Sequence, residues 1–292
     1  MRRLSIPIVF ISRNCPHYVG YALRQAKRHN DGADIHLVSS DPDFSCPPHV
    51  QRHSIAIYSN GADAFAADYV HIAVNPYDFE LFCFQRWFIL LEFMEQNEID
   101  LCFCADTDVL LYCNVTDIYP QFGECDYTAL HHKHFTSLHS SYIHLKVVRD
   151  FCSFLMNYYR TKRYTDIITD YPPGSGIRHF SDMYAFCLFE KECKWRGCDY
   201  DQFAKGFMFS HVVYPERICW KQSLPIERGA NIRHLTLHCQ GGTKFLMPLY
   251  YNLSAFPLLL DGYLKSRALM KTACSAINRA HSRLLSRVRC HQ

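Results

Sequence analysis

Ile99-Asp100-Leu101-Cys102-Phe103-Cys104-Ala105-Asp106-Thr107-Asp108 is the stretch whose reading decides the fold. The apolar run from Ile99 to Ala105 has the length and composition of a buried strand. Asp106 and Asp108 stand where that strand ends and the chain turns toward a cleft, before Val109-Leu110-Leu111-Tyr112 resumes the apolar pattern. Carboxylates are seldom placed beside a core strand for stability alone. Spaced by one residue, both reach a single hard divalent cation, which as Mg²⁺ or Mn²⁺ shares its oxygen shell with water and substrate phosphate. The alternative is a turn in which the two side chains bond only to local backbone.

A second motif lies far along the chain, at His238-Cys239-Gln240-Gly241-Gly242-Thr243-Lys244. It combines a nitrogen ligand, a backbone free to approach phosphate closely, and a cation for a leaving diphosphate. With Asp106-Thr107-Asp108 it resembles the GT-A glycosyltransferases, most closely family 8, the type of glycogenin and the bacterial lipopolysaccharide galactosyl- and glucosyltransferases. The resemblance spans roughly residues 5 to 250. It implies an α/β fold with a Rossmann-like nucleotide-binding sheet flanked by helices and a smaller acceptor-binding part. It implies a metal-dependent transfer of sugar from a UDP-sugar donor to a glycan or lipid-linked acceptor, with retention. Asp106, Asp108 and His238 would hold Mn²⁺ or Mg²⁺, Thr107 would sit within the donor motif, and Lys244 with the backbone at Gly241 would meet the diphosphate.

The N-terminal half alternates strand and helix. Ile6 to Ser12 is a β-branched run, Tyr18 to His29 has helical spacing, and Ala33 to Ser39 is a second strand, together a βαβ unit. Such units bind nucleotides at the carboxyl ends of their strands, so Ile11, Ser12 and Arg13 are either base and ribose contacts or a plain strand-to-helix turn. Asn60 to Pro76 reads as a connection. Phe79 to Gln96 is apolar almost all round and therefore a buried helix. Arg86 lies inside it and needs a compensating anion; that anion is either the donor, as the resemblance implies, or one of the two motif carboxylates.

Asp126 to Leu130 reads as a strand, His131 to His134 as a polar loop, and Lys146 to Arg160 as an amphipathic helix. Leu138 to Ile143 resembles the strand whose polar residues touch the donor sugar in the family, with Ser140 as the contact and His139 among the replacements. Ser181 suits a helix N-cap and Asp182 the positive helix end; the resemblance places a sugar-contacting aspartate at Asp182. Met183 stands where the family has glutamine. Tyr171 to Gly176 is a breaker-rich loop.

With 292 residues and nearly half of them apolar, a sizeable core is assured. No uninterrupted apolar stretch is long enough for a membrane span and no leader pattern opens the chain. Fifteen cysteines, an odd number with several in apolar runs, read as free thiols in a reducing cytosol. The net charge of +3 conceals a segregation: after Asp261 there are seven basic residues and no acidic one, leaving 24 basic against 28 acidic in the chain up to and including Asp261. Residues 1 to 262 are thus expected to form the transferase domain and 263 to 292 a basic helical tail suited to peripheral contact with an anionic membrane. No motif or basic stripe points to nucleic acid. The competing class is a non-catalytic nucleotide-sugar or carbohydrate-binding protein on the same scaffold.

Overall fold

The computed structural model describes residues 5–165, 180–202 and 205–255. The basic tail and the Tyr171 to Gly176 loop lie outside the described residues. In chain order the elements are β1 (Ile8–Ser12), α1 (Val19–His29), β2 (Ile35–Ser39), β3 (Val50–Ser54), α2 (Asn60–Asp68), α3 (Tyr77–Gln96), β4 (Leu101–Ala105), β5 (Val109–Leu111), α4 (Val115–Ile118), β6 (Tyr127–His132), β7 (Phe135–Ser137), β8 (Ser140–His144), α5 (Leu145–Arg160), α6 (Asp182–Glu192), β9 (Gly197–Asp199), β10 (Phe207–Phe209), β11 (Ile218–Lys221), β12 (Leu224–Glu227), β13 (Arg233–His238) and α7 (Met247–Ala255).

Among the described residues two sheets are formed. The larger runs β3-β2-β1-β4-β8-β6-β7, with β9 also paired to β6. Its β3-β2-β1-β4 half is parallel, whereas β8 runs antiparallel to β4. The smaller runs β10-β13-β12-β11, with β5 added beside β13. This is the mixed α/β arrangement with helices on both faces expected from the alternating pattern.

Period-2 geometry divides the side chains between two cores. Ile8 and Phe10 of β1 and Phe103 of β4 join one core with α1 and the second sheet. Val9 and Cys102 join the other with α2, α3, α5 and α6. Helix α1 contributes Val19, Ala22, Leu23 and Ala26, the spacing of one helical face. Helix α3 is buried along much of its length, as its composition requires.

Three expectations are corrected. The segment from Asn60 is not merely a connection: helix α2 occupies it, with Ala62 and Phe65 buried. Asn60, Asp63 and Asp68 in so short a segment weaken its periodicity in sequence. The His131 to His134 loop is instead a hairpin, with His131 and His132 closing β6 against β7. The expectation of free thiols throughout fails at Cys125 and Cys198, which form a disulfide with Cα atoms 5.9 Å apart. Such bonds persist in oxidising surroundings, so cysteine usage offers no ground for a reducing cytosol. Among the described residues no helix is long and apolar enough to cross a membrane.

The disulfide joins the approach to β6 to β9 across 73 residues of sequence. Closing a loop of that size removes denatured-state entropy amounting to about 4 kcal/mol in the chain-entropy description. Cys198→Ser is therefore expected to lower the urea midpoint, and reductant should bring the unaltered protein down to nearly the same value. Midpoints indifferent to both changes would show that the bond carries no stability.

Candidate active site

The site is assembled at the carboxyl end of the parallel strands. Strand β4 stops at Ala105, and the Asp106 N–H donates to the His139 carbonyl at 2.8 Å while Val109 N–H donates to the Asp106 carbonyl at 3.1 Å. This tight turn takes the chain out of one sheet and into the other. Strand β5 then pairs antiparallel with β13, placing His238 opposite Val109, and Cys239 N–H donates to the Asp108 carbonyl at 2.9 Å. Two motifs 130 residues apart are thus neighbours by strand register.

The side chains converge accordingly. One ligand atom from each of Asp106, Asp108 and His238 lies within 4.8 Å of the other two. His238 Nε2 is 3.2 Å from Asp108 Oδ1, and Lys244 Nζ is 3.1 Å from Asp108 Oδ2. Burial opposes the charge of Asp108, but His238 and then Lys244 outweigh it and hold the carboxyl below its ordinary value. Burial likewise opposes the charges of His238 and Lys244, and Asp108 raises both above their ordinary values. Lys244 also donates to Tyr18 Oη at 3.4 Å, which joins the end of the second motif to the start of α1.

Arg86 is the second organiser. Its Nη1 is 2.5 Å from Asp106 Oδ1 and its Nη2 is 2.8 Å from Asp182 Oδ2. Trp87 Nε1 donates to the same Asp182 oxygen at 3.1 Å. The anion that compensates Arg86 is thus a pair of carboxylates, one of them in the motif. Burial works against the guanidinium charge, and Asp106 followed by Asp182 raises it well above its ordinary value. Ser181 is the N-cap of α6, accepting from Tyr184 N–H. Asp182 is the first helical residue, and its carboxylate is held by α3 in addition to facing the positive helix end.

The remaining expected residues sit around this centre. Ser140 is fully buried opposite Ala105 in the β4–β8 register, and its hydroxyl has no protein partner. Ile11 lines the same crevice as Arg86, Asp106 and Leu138. Ser12 Oγ donates to the Asn14 carbonyl. Arg13 turns away to Gln85 Oε1 at 3.2 Å and stacks over the Phe82 ring, so it is engaged by α3. Thr107 occupies the turn between the two carboxylates, and Gly241 has φ +56, a left-handed conformation that favours glycine.

Reading the sequence gave no site role to Tyr18, Trp87, His139 or His211. His139 stacks on His238, ring centroids 4.3 Å apart at 16°, and Nε2 bonds the Ser210 carbonyl at 3.0 Å. Burial first, then the neighbouring histidines, keeps its pKa well below the usual value, so it is a neutral ring. One ligand atom each of His139, His211 and His238 also lies within 4.8 Å of the others. The sequence signal for this grouping was His139 as one of the replacements in the Leu138 to Ile143 stretch.

Two carboxylates and an imidazole fit a divalent cation of the Mn²⁺ or Mg²⁺ kind. Arg86, His238 and Lys244 stand against this carboxylate pair and offset its charge.

No protein-family profile matches the chain, and no curated protein matches it significantly in sequence. Solved structures do. Mouse xyloside xylosyltransferase 1, in its apo form, superposes with a TM-score of 0.51 at 11% identity, covering 82% of this chain and 99% of that one. The chain has the GT-A fold. Galactosyltransferase LgtC in complex with donor and acceptor sugar analogues matches with a TM-score of 0.47 at 11% identity over 86% of this chain and 95% of its own. A glycosyltransferase involved in glycosylation of the PBCV-1 major capsid matches at 0.43 and 10% identity, covering 84% and 98% respectively.

Removing Arg86 should expose its role through pH. Burial already holds Asp106 above its ordinary value and Arg86 is the main counterweight, so Arg86→Met raises the folded pKa further. The folded variant then binds a proton the unfolded chain has lost, and its stability falls as pH rises. The deficit relative to the unaltered protein is expected to reach about 3 to 5 kcal/mol near neutrality and to shrink in acid. Urea midpoints near about pH 4 and about pH 7 measure this; a deficit equal at both would contradict it.

Proposed function

We propose that this protein is a metal-dependent glycosyltransferase that moves a sugar from a nucleotide-sugar, of the UDP-sugar kind, to a glycan or lipid-linked acceptor, with retention of configuration. The observation that carries the reading is the meeting of Asp106, Asp108 and His238 within 4.8 Å, with Lys244 against Asp108, at the carboxyl edge of a parallel sheet. That edge is where open α/β sheets bind nucleotides. The GT-A fold is the second support, because it accounts for why a diphosphate would arrive there.

In this reading Asp106, Asp108 and His238 hold Mn²⁺ or Mg²⁺. When bound, the cation neutralises the donor diphosphate and the charge that develops on the departing UDP. Lys244 does the same from the protein side: its ammonium is kept charged and needs only to turn from Asp108 to reach phosphate. The left-handed turn at Gly241 would let successive backbone N–H groups face a phosphate.

Arg86 and Trp87 position rather than react. They lock Asp182 on one side of the motif, where its carboxylate accepts from donor-sugar hydroxyls, while Arg86 orients Asp106 at the same time. Ile11 and Ser12 border the nucleoside end and Ser140 the sugar end. Met183, with only a weakly accepting thioether, does not replace chemically the glutamine that the resemblance places at the anomeric centre.

Release of UDP from a panel of UDP- and GDP-sugars, with and without Mn²⁺, tests the reading. Metal-stimulated release from at least one UDP-sugar is expected, and release from none would overturn it. Asp108→Asn and His238→Ala should each remove several kcal/mol of transition-state stabilisation, on the order of a hundredfold or more in rate. Full activity of either at saturating Mn²⁺ would remove these residues from the site. Asp182→Asn should reduce turnover more than it raises the donor KM; unchanged turnover would leave Asp182 as a brace for Arg86 alone.

A further inference from the structure

His139 touches both halves of the candidate ligand set. Its carbonyl accepts from Asp106 N–H at 2.8 Å, which holds the turn that carries the two carboxylates. Its ring stacks on His238, with centroids 4.3 Å apart and planes 16° from parallel. One residue just before β8 thus meets both the motif after β4 and the histidine that ends β13.

The His139 ring is itself held at both nitrogens. Nε2 is 3.0 Å from the Ser210 carbonyl, which can only accept, so Nε2 carries the proton. Nδ1 lies 3.0 Å from Ser137 Oγ and 3.0 Å from Tyr200 Oη, and accepts from these hydroxyls. Tyr200 also meets the ring edge-on, at 87°. His139, Ser137 and Tyr200 are all buried, so the ring is fixed from β7, from the end of β9 and from the residue after β10 together.

His238 lacks equivalent support. A metal-ligating histidine ordinarily donates from its second nitrogen to a carbonyl or carboxylate, and that bond sets the plane of its ring. Nε2 of His238 faces Asp108 Oδ1 at 3.2 Å, but Nδ1 is buried with no hydrogen-bond partner among the described residues. The backbone of His211 is near enough to favour the charged ring yet makes no well-formed bond at Nδ1, and the His211 ring meets His238 only edge-on, at 6.2 Å and 66°. The contact left to fix the rotation of His238 about its Cβ–Cγ bond is the face of His139.

The same geometry excludes His139 as a ligand. Both of its nitrogens are engaged, and the lone pairs of a histidine lie in the plane of its ring. An ion about 2.0 to 2.1 Å from a nitrogen of each ring would sit well outside two planes so nearly parallel.

We propose that His139 is the positioning residue of the cation site: its ring sets the plane in which Nε2 of His238 meets the ion, while its carbonyl keeps the Asp106 turn in place. The proposal rests on the cation reading above, and it adds the residue on which affinity for the ion depends.

Binding of Mn²⁺ to the full chain without donor, followed by loss of the free-ion signal in electron paramagnetic resonance, tests this. Two substitutions separate the flat ring from its hydrogen bonds. His139→Leu and His139→Phe lose the same bonds to Ser210, Ser137 and Tyr200 and leave the carbonyl for Asp106, but only phenylalanine keeps a ring against His238. The leucine variant is expected to bind Mn²⁺ about tenfold more weakly than the unaltered protein, and the phenylalanine variant to recover most of that loss. Equal weakening in both variants, or none in either, would overturn the proposal. If circular dichroism shows that either does not fold, the double variant Tyr200→Phe with Ser137→Ala takes their place. It keeps every ring and releases only Nδ1 of His139, so binding is expected to weaken at least about threefold; unchanged binding would overturn the proposal. The two levels of failure are distinct. An unaltered protein that binds no Mn²⁺ removes the cation reading and this proposal with it, whereas Mn²⁺ binding indifferent to position 139 removes the positioning role alone.

Discussion

The antiparallel pairing of β5 with β13 is the contact on which the site depends. Strand β5 is only three residues long, yet it begins immediately after the Asp106-Thr107-Asp108 turn and is completely buried. Its partner ends at His238, opposite Val109. A one-residue slip would turn every side chain of β13 to the other face and carry His238 away from Asp108. The register is fixed by burial on both strands, since Leu110, Leu111, Leu235 and Leu237 are all in one core. The placement of a polar cluster is therefore paid for by apolar packing behind it.

A carboxylate pair at a strand end is a concentration of negative charge, and the rest of the site is arranged to offset it. Arg86 from α3 takes Asp106, and His238 with Lys244 takes Asp108. The two halves of the fold contribute separately: α3 belongs to the core on one face of the large sheet, and β13 to the core on the other. Asp182 extends the same network to α6. Lys244 is the most exposed member of this set, its side chain 36% accessible against 21% for Arg86.

Much of this was legible in the sequence, for identifiable reasons. The strand before Asp106 is a continuous apolar run, α1 has a clean helical face, and the buried α3 is apolar all round; these are signals of burial, which the amino-acid pattern encodes locally. The joint presence of the two motifs anticipated that Asp106, Asp108 and His238 would meet. What was not legible depends on long-range pairing. The Cys125–Cys198 bond joins residues with no local relation. His211 gains significance only because β10 and β13 run side by side, which brings the residues after β10 to His238. The bidentate use of Arg86, by Asp106 and Asp182 together, was open in sequence because a buried arginine states its need for an anion without naming it. Helix α2 was missed because a short helix of mixed polarity is held by its contacts with α3 rather than by its own pattern.

The central claim is that one carboxylate-histidine cluster holds a cation and that the cation in turn recruits a nucleoside diphosphate. Calorimetric titration of the protein with UDP, in the absence and presence of Mn²⁺, tests it most directly. The account predicts that Mn²⁺ tightens UDP binding by at least about tenfold, 1.4 kcal/mol, and that this gain disappears in Asp108→Asn. UDP binding of equal strength with and without Mn²⁺, or a gain that survives loss of the Asp108 carboxylate, would contradict it.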